Sequence, residues 1–229
     1  MKYAEYIKQI EIASLWDGKK HIVWHLDPHV NILSGVNGGG KSTILDRMMR
    51  GVRSVRGVAE QGITVQTVPE DADYVRFDKI SMPEVRSDFD NNLQRLTAQF
   101  ATHQHDAEAL GQLQDIIDEL FSATEKTIIR TSDSLALKQW GRELPLQVLS
   151  NGEKQMLTIL LMVYLEDRLP TVIFMDEPEV SLHIEWQKQL IDIIRRINPN
   201  AQIILTTHSP AVIMNGWMDC VTEVDEITI

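Results

Sequence analysis

Gly35-Val36-Asn37-Gly38-Gly39-Gly40-Lys41-Ser42 is the stretch of this 229-residue chain whose residue types and spacing carry the most chemistry. It fits the pattern G-x-x-x-x-G-K-[ST], in which glycines let the backbone wrap so that successive N–H groups face phosphate oxygens. An apolar strand over Val30–Leu33 runs into it, and a helical pattern leaves it through Lys41, Ser42 and Thr43, adding the positive end of a helix dipole. Asn37, Gly38, Gly39, Gly40 and Thr43 are therefore expected around phosphate, Lys41 against the β and γ phosphates, and the Ser42 hydroxyl on Mg²⁺. The bland alternative is a glycine-rich turn that happens to precede a lysine, and the flanking strand and helix weigh against it.

A second constellation ends an apolar run: Thr171-Val172-Ile173-Phe174-Met175 is followed by Asp176 and Glu177. A metal held by phosphates needs a further anionic anchor, which Asp176 at a strand tip supplies through water, while Glu177 serves the attacking water as base or orienter. Alone, Asp-Glu-Pro reads equally well as a polar turn; beside a phosphate loop the chemical reading is favoured. Leu149-Ser150-Asn151-Gly152-Glu153-Lys154-Gln155 reads first as a capping box, Ser150 with Glu153 three residues on. The same serine hydroxyl and Gly152 N–H, at a helix N-terminus, also suit an anion presented from elsewhere. Ile203-Ile204-Leu205-Thr206-Thr207-His208 places a histidine at a strand end, on the edge predicted for Lys41 and Asp176.

The elements that must position these groups follow from pattern. Strands are predicted over Tyr6–Leu15, His21–Leu26, Val30–Leu33, Ile63–Val68, Tyr74–Ile80, Thr171–Met175 and Gln202–Thr206, and helices over Ser150–Asp167 and Ile184–Ile197. Between Ser81 and Ser122 the chain turns polar and helical, with Leu110, Leu113, Ile116, Ile117, Leu120 and Phe121 at helical spacing. The expected fold is α/β: a P-loop core with a mainly parallel sheet, an N-terminal antiparallel β segment, and a small helical lobe inserted at about 81–125 of a single 1–229 domain. The net charge of -11 makes the chain a poor lone nucleic-acid binder. One cysteine, Cys220, and no long apolar segment suggest a reducing, cytoplasmic setting without membrane insertion.

These four motifs, in this order, resemble the ABC-type ATPases: Walker A at Gly35–Ser42, the signature at Leu149–Gln155, Walker B at Thr171–Glu177 and the switch histidine at His208. The wording LSNGEKQ, DEPEVSLHIEWQ and LTTHSP is similar to the non-transporter branch, the OLD- and SMC-like and DNA-repair ATPases and those of phage-defence modules. The resemblance implies ATP and Mg²⁺ as ligands, Glu177, His208 and Lys41 as catalytic groups, and a homodimer in which the signature Ser150 of one subunit completes the other's site. Ser181 and His183 fall at the D-loop position, equally well read for His183 as the start of a helix. It also implies a separate effector protein, a nuclease or similar, with nucleic acid reached only through the complex. Alternatives are a membrane transporter's nucleotide-binding subunit, disfavoured by the signature and D-loop wording, and a non-hydrolysing clamp, disfavoured by the full catalytic set. Asn151 stands where the family commonly has glycine or serine, and Ile184 where proline is frequent. The Q-loop glutamine is open among Gln61, Gln66, Gln99 and Gln104, and Trp16, suitably placed before the loop to stack a base, is left unassigned because most aromatics are core.

Overall fold

The computed structural model describes residues 2–16, 18–53, 62–81 and 86–229. Gln61, one of the glutamines left open for the Q-loop, lies outside these. In chain order the elements are β1 (Tyr6–Leu15), β2 (Lys20–His25), β3 (Val30–Ser34), α1 (Lys41–Arg53), β4 (Ile63–Val68), β5 (Phe77–Ser81), α2 (Arg86–Thr102) and α3 (Ala107–Phe121). There follow β6 (Lys126–Ile129), β7 (Ala136–Gln139), β8 (Arg142–Leu144), α4 (Asn151–Tyr164), β9 (Thr171–Asp176), α5 (Ile184–Ile197), β10 (Ala201–Thr206), α6 (Pro210–Met214) and β11 (Val221–Glu223). They fall into two compact units, Met1–Ser81 with Leu169–Glu179 and Asn200–Ile229, and Met82–Arg168 with Val180–Pro199.

The first unit is built on a five-stranded parallel sheet in the order β11-β3-β10-β9-β5. Apolar runs too uniform to leave a polar face make its central strands: every residue of β10, and all of β9 except Asp176, is buried. Thr206 pairs with Asp176 on one side and Leu33 on the other, so three strands finish level and deliver their following loops to one edge. The antiparallel sheet β2-β1-β4 alternates buried and open positions, with Ile7, Ile10 and Ile12 turned into the core. Gln202 ties the sheets together: its buried amide accepts from the Ile7 N–H at 2.8 Å and donates to the Ile7 and Asp27 carbonyls, each at 2.8 Å. The predicted strand at Tyr74 begins later, at Phe77, because the Tyr74 carbonyl accepts from Ala4 N–H and its ring stacks on Tyr3 instead.

The second unit packs α2, α4, α3 and α5 around apolar stripes. The spacing of Phe89, Leu93, Leu96 and Phe100 gives α2 one buried face, and Leu113, Ile116, Ile117 and Leu120 give α3 the face anticipated from sequence. Helix α4 is buried almost throughout, which explains its weak amphipathic pattern; its fully buried Lys154 is matched by Asp90 at 2.6 Å. The sequence reading missed the antiparallel sheet β6-β7-β8. Its strands are three or four residues long, and its tight turn uses Trp140 and Gly141 at φ 51° and 77°, where Asn-Gly would have signalled a hairpin.

Candidate functional site

The loop between β3 and α1 lines one wall of a cleft of about 690 Å³ through Asn37, Gly38, Gly40, Lys41, Ser42 and Thr43; Glu177 and His208 face it. Gly40 takes the position before α1 at φ 92°, and a Cβ there would run into the Trp16 indole, so the chain needs glycine for conformation and for space. Gly39 donates its N–H to the Val36 carbonyl at 3.0 Å and closes the turn internally. The Lys41 ammonium, on a residue only 5% exposed, donates to the Gly35 and Val36 carbonyls at 3.1 and 3.2 Å. These are neutral acceptors, which an anionic phosphate can replace.

Across from the loop, the tips of β9 and β10 are bonded to each other. The Asp176 carboxylate accepts from the Ser42 hydroxyl at 3.0 Å and the Thr206 hydroxyl at 2.6 Å. Glu177 has left-handed backbone, φ 47°, and its N–H donates to the Thr206 carbonyl and hydroxyl, both at 3.1 Å. That turn aims its side chain into the cleft, where Oε1 lies 3.3 Å from His208 Nε2. The reading from sequence did not foresee Glu179. Its buried carboxylate accepts from the Thr207 hydroxyl at 2.6 Å and the His208 N–H at 3.1 Å, fixing the segment that carries the histidine. The second glutamate of Asp-Glu-Pro-Glu was its only trace in the sequence. Trp16 also lines the cleft, at φ 53° and 37% exposed, with the Lys20 ammonium 5.8 Å from its ring. No glutamine lines this cleft among the described residues.

Ser150 and Gly152 belong to the second unit, at the start of α4. The capping box is present: Ser150 Oγ accepts from the Glu153 N–H at 3.3 Å, and Glu153 Oε2 accepts from the Ser150 N–H at 2.9 Å. Burial works to raise the Glu153 carboxyl, but the hydrogen bond from Lys126 and those from Ser150 prevail and hold it below its ordinary value. Gly152 lies so close to the Ser181 carbonyl that a Cβ would collide with it. Val148, two residues before Ser150, and Val180 and Ile184, on either side of Ser181–His183, are exposed apolar residues. His183 caps α5 through Nδ1, which accepts from the Glu185 N–H at 3.4 Å.

The parallel sheet, the phosphate loop and the two strand-tip acids define an ABC-like P-loop ATPase, and comparison with known proteins agrees. Residues 81–215 match the family described as "AAA domain, putative AbiEii toxin, Type IV TA system", and the chain belongs to it. It is 48% identical over 42 residues, 18% of this chain, to the Septu protein PtuA of Bacillus thuringiensis. It is 29% identical over 136 residues, 58% of this chain, to the DNA double-strand break repair Rad50 ATPase of Sulfolobus acidocaldarius. The matched stretches span 11% and 13% of those two relatives. The SMC head domain from Thermotoga maritima superposes with a TM-score of 0.60 at 14% identity, covering 95% of this chain and 94% of that one, a likeness of fold. Among the described residues no helix is long and apolar enough to cross a membrane.

Proposed function

We propose that the chain binds MgATP in the cleft of the first unit, dimerises around the nucleotide, hydrolyses it, and thereby gates a separate effector, a nuclease or nucleic-acid-directed protein in defence or repair. The observation that carries the reading is the convergence on one cleft of the phosphate loop with Lys41, the bonded pair Ser42 and Asp176, and Glu177 with His208. The donors suit the ligands. Two hard oxygens 3.0 Å apart match Mg²⁺, and a glycine-lined helix start matches phosphate. Bound there, Mg²⁺ would neutralise charge developing on the phosphate oxygens.

The chain's own groups divide the remaining work. Lys41 exchanges two carbonyls for the β and γ phosphates, and the N–H groups and side chains of Asn37, Gly38, Gly39, Gly40, Ser42 and Thr43 surround them. Glu177 takes the proton of the attacking water, and His208, whose Nε2 lies 3.3 Å from it, donates to the γ phosphate. Ser150 and Gly152 of a second copy complete the site, and the exposed Val148, Val180 and Ile184 support such a face. A net charge of -11 supports nucleic acid being reached through the complex and not by the lone subunit, and the single cysteine supports a reducing, cytoplasmic setting. The names of the relatives, a Septu protein and a double-strand break repair ATPase, support the setting. The test is phosphate release from ATP with and without Mg²⁺, together with light-scattering mass in ATP. Metal-dependent release and an ATP-dependent doubling of mass are expected; a monomer that never releases phosphate would refute the reading.

A further inference from the structure

Glu153 is held from two sides. Its Oε2 accepts from the Ser150 N–H at 2.9 Å and the Ser150 hydroxyl at 3.0 Å, while its Oε1 accepts from Lys126 Nζ at 2.8 Å and Thr124 Oγ1 at 3.4 Å. The side chains of Lys126 and Glu153 are 12% and 8% exposed, so water contributes little to screening them. Lys126 is the charged group that faces this carboxylate; Thr124 and Ser150 supply neutral donors, and Lys154 on the same helix is paired with Asp90. An ionised carboxylate therefore stands 3.0 Å from the hydroxyl that the proposed function turns toward a γ phosphate. Unneutralised, it would repel that phosphate and hold the hydroxyl proton for itself.

We infer that Lys126 is a positioning residue for the ATP reaction: by binding Glu153 Oε1 it cancels the carboxylate's charge at the start of α4 and frees the Ser150 hydroxyl for a phosphate presented by a second copy. Ser150 has one O–H to give. In the lone chain it goes to Glu153 Oε2; with phosphate in place it turns, and Glu153 keeps the Ser150 N–H and Lys126 as partners. The ammonium weakens the carboxylate as a competing acceptor and leaves the helix dipole available to the incoming anion. This inference rests on the reading of Ser150 as a residue completing a partner's site.

The test compares Lys126→Met with Lys126→Arg and with Lys126→Met/Glu153→Gln, because glutamine serves a capping box as well as glutamate but carries no charge. Lys126→Met is expected to keep wild-type affinity for fluorescent ATP in the lone subunit and to lose about tenfold in turnover near neutral pH through the unpaired buried charge. Relative to wild type, its turnover should recover as pH falls through the raised range of a lone buried Glu153, which then carries a proton. The double variant should recover at neutral pH, and Lys126→Arg should stay within about threefold of wild type, keeping the charge. Unchanged turnover in Lys126→Met overturns the inference, as does a loss that is flat in pH and not restored by Glu153→Gln, which marks plain structural damage. Ser150→Arg separates the two levels: if it is fully active the shared-site reading itself has failed, whereas an inactive Ser150→Arg beside an unaffected Lys126→Met sinks only the role of Lys126.

Discussion

Helices α1 and α4 both begin at a serine and glycine, yet they treat their first N–H groups in opposite ways. Before α1 stands Gly40, with no side chain to cap anything, and its first turn carries no acid. Before α4 stands Ser150, and with Glu153 it satisfies the turn from within. An uncapped N-terminus can be filled by phosphate directly. A self-capped one must first give up a bond, so it responds only when a partner brings the anion. Under the proposed function, the contrast separates a helix start built to hold nucleotide from one built to sense it.

The largest effect expected falls on the first helix's side. Glu177→Gln preserves shape and removes the carboxylate, so turnover should fall by about 10²–10⁴-fold with ATP affinity kept, read by phosphate release and nucleotide titration. The ATP-bound dimer should become long-lived. Mixing then tests whether the two helix starts belong to one composite site. Lys41→Ala and Ser150→Arg should each be nearly inactive alone. In their heterodimer the intact loop of one meets the intact Ser150 of the other, so activity up to about half of wild type should return. Full activity of Ser150→Arg alone would reduce α4's start to a cap and break the comparison.

Smaller effects sharpen it. Glu179→Ala should leave the Thr207 hydroxyl and His208 N–H without their acceptor, costing about 1–3 kcal/mol in denaturant unfolding and lowering turnover through His208 without changing ATP affinity. The smallest change concerns packing in the unit that carries α4. Burial, with Asp167 and Asp106, pushes the Tyr164 phenol up to about 12, and its oxygen lies 2.7 Å from His105 Nδ1. Since the unfolded chain ionises this group first, the stability it contributes is full below the ordinary phenol value of 10.0 and is lost as pH rises toward 12. Absorbance of tyrosinate should show one tyrosine titrating last, and Tyr164→Phe should remove that component.

Much of the site was legible because its chemistry demands particular residues at particular spacings. Lys41, Ser42, Asp176, Glu177 and His208 come from three neighbouring parallel strands, and apolar runs ending in polar residues mark such strands plainly. The capping box was legible for the same reason, being local. Glu179 and Lys126 were not, because their partners are 28 and 27 residues away, on other elements, and no local pattern reports a hydrogen bond across a fold. Trp16, left unassigned because most aromatics are core, lines the cleft. The sheet β6-β7-β8 escaped because strands of three or four residues give alternation too few positions to show.

The left-handed backbone of Glu177 puts function and durability at odds. A residue with a side chain held at φ 47° costs about 1–3 kcal/mol compared with ordinary backbone, and glycine would relieve most of it. Selection for thermal endurance alone would therefore erase this glutamate. Directed evolution that screens only for folded, heat-resistant protein should accumulate Glu177→Gly and yield a sturdier chain that has stopped turning over ATP.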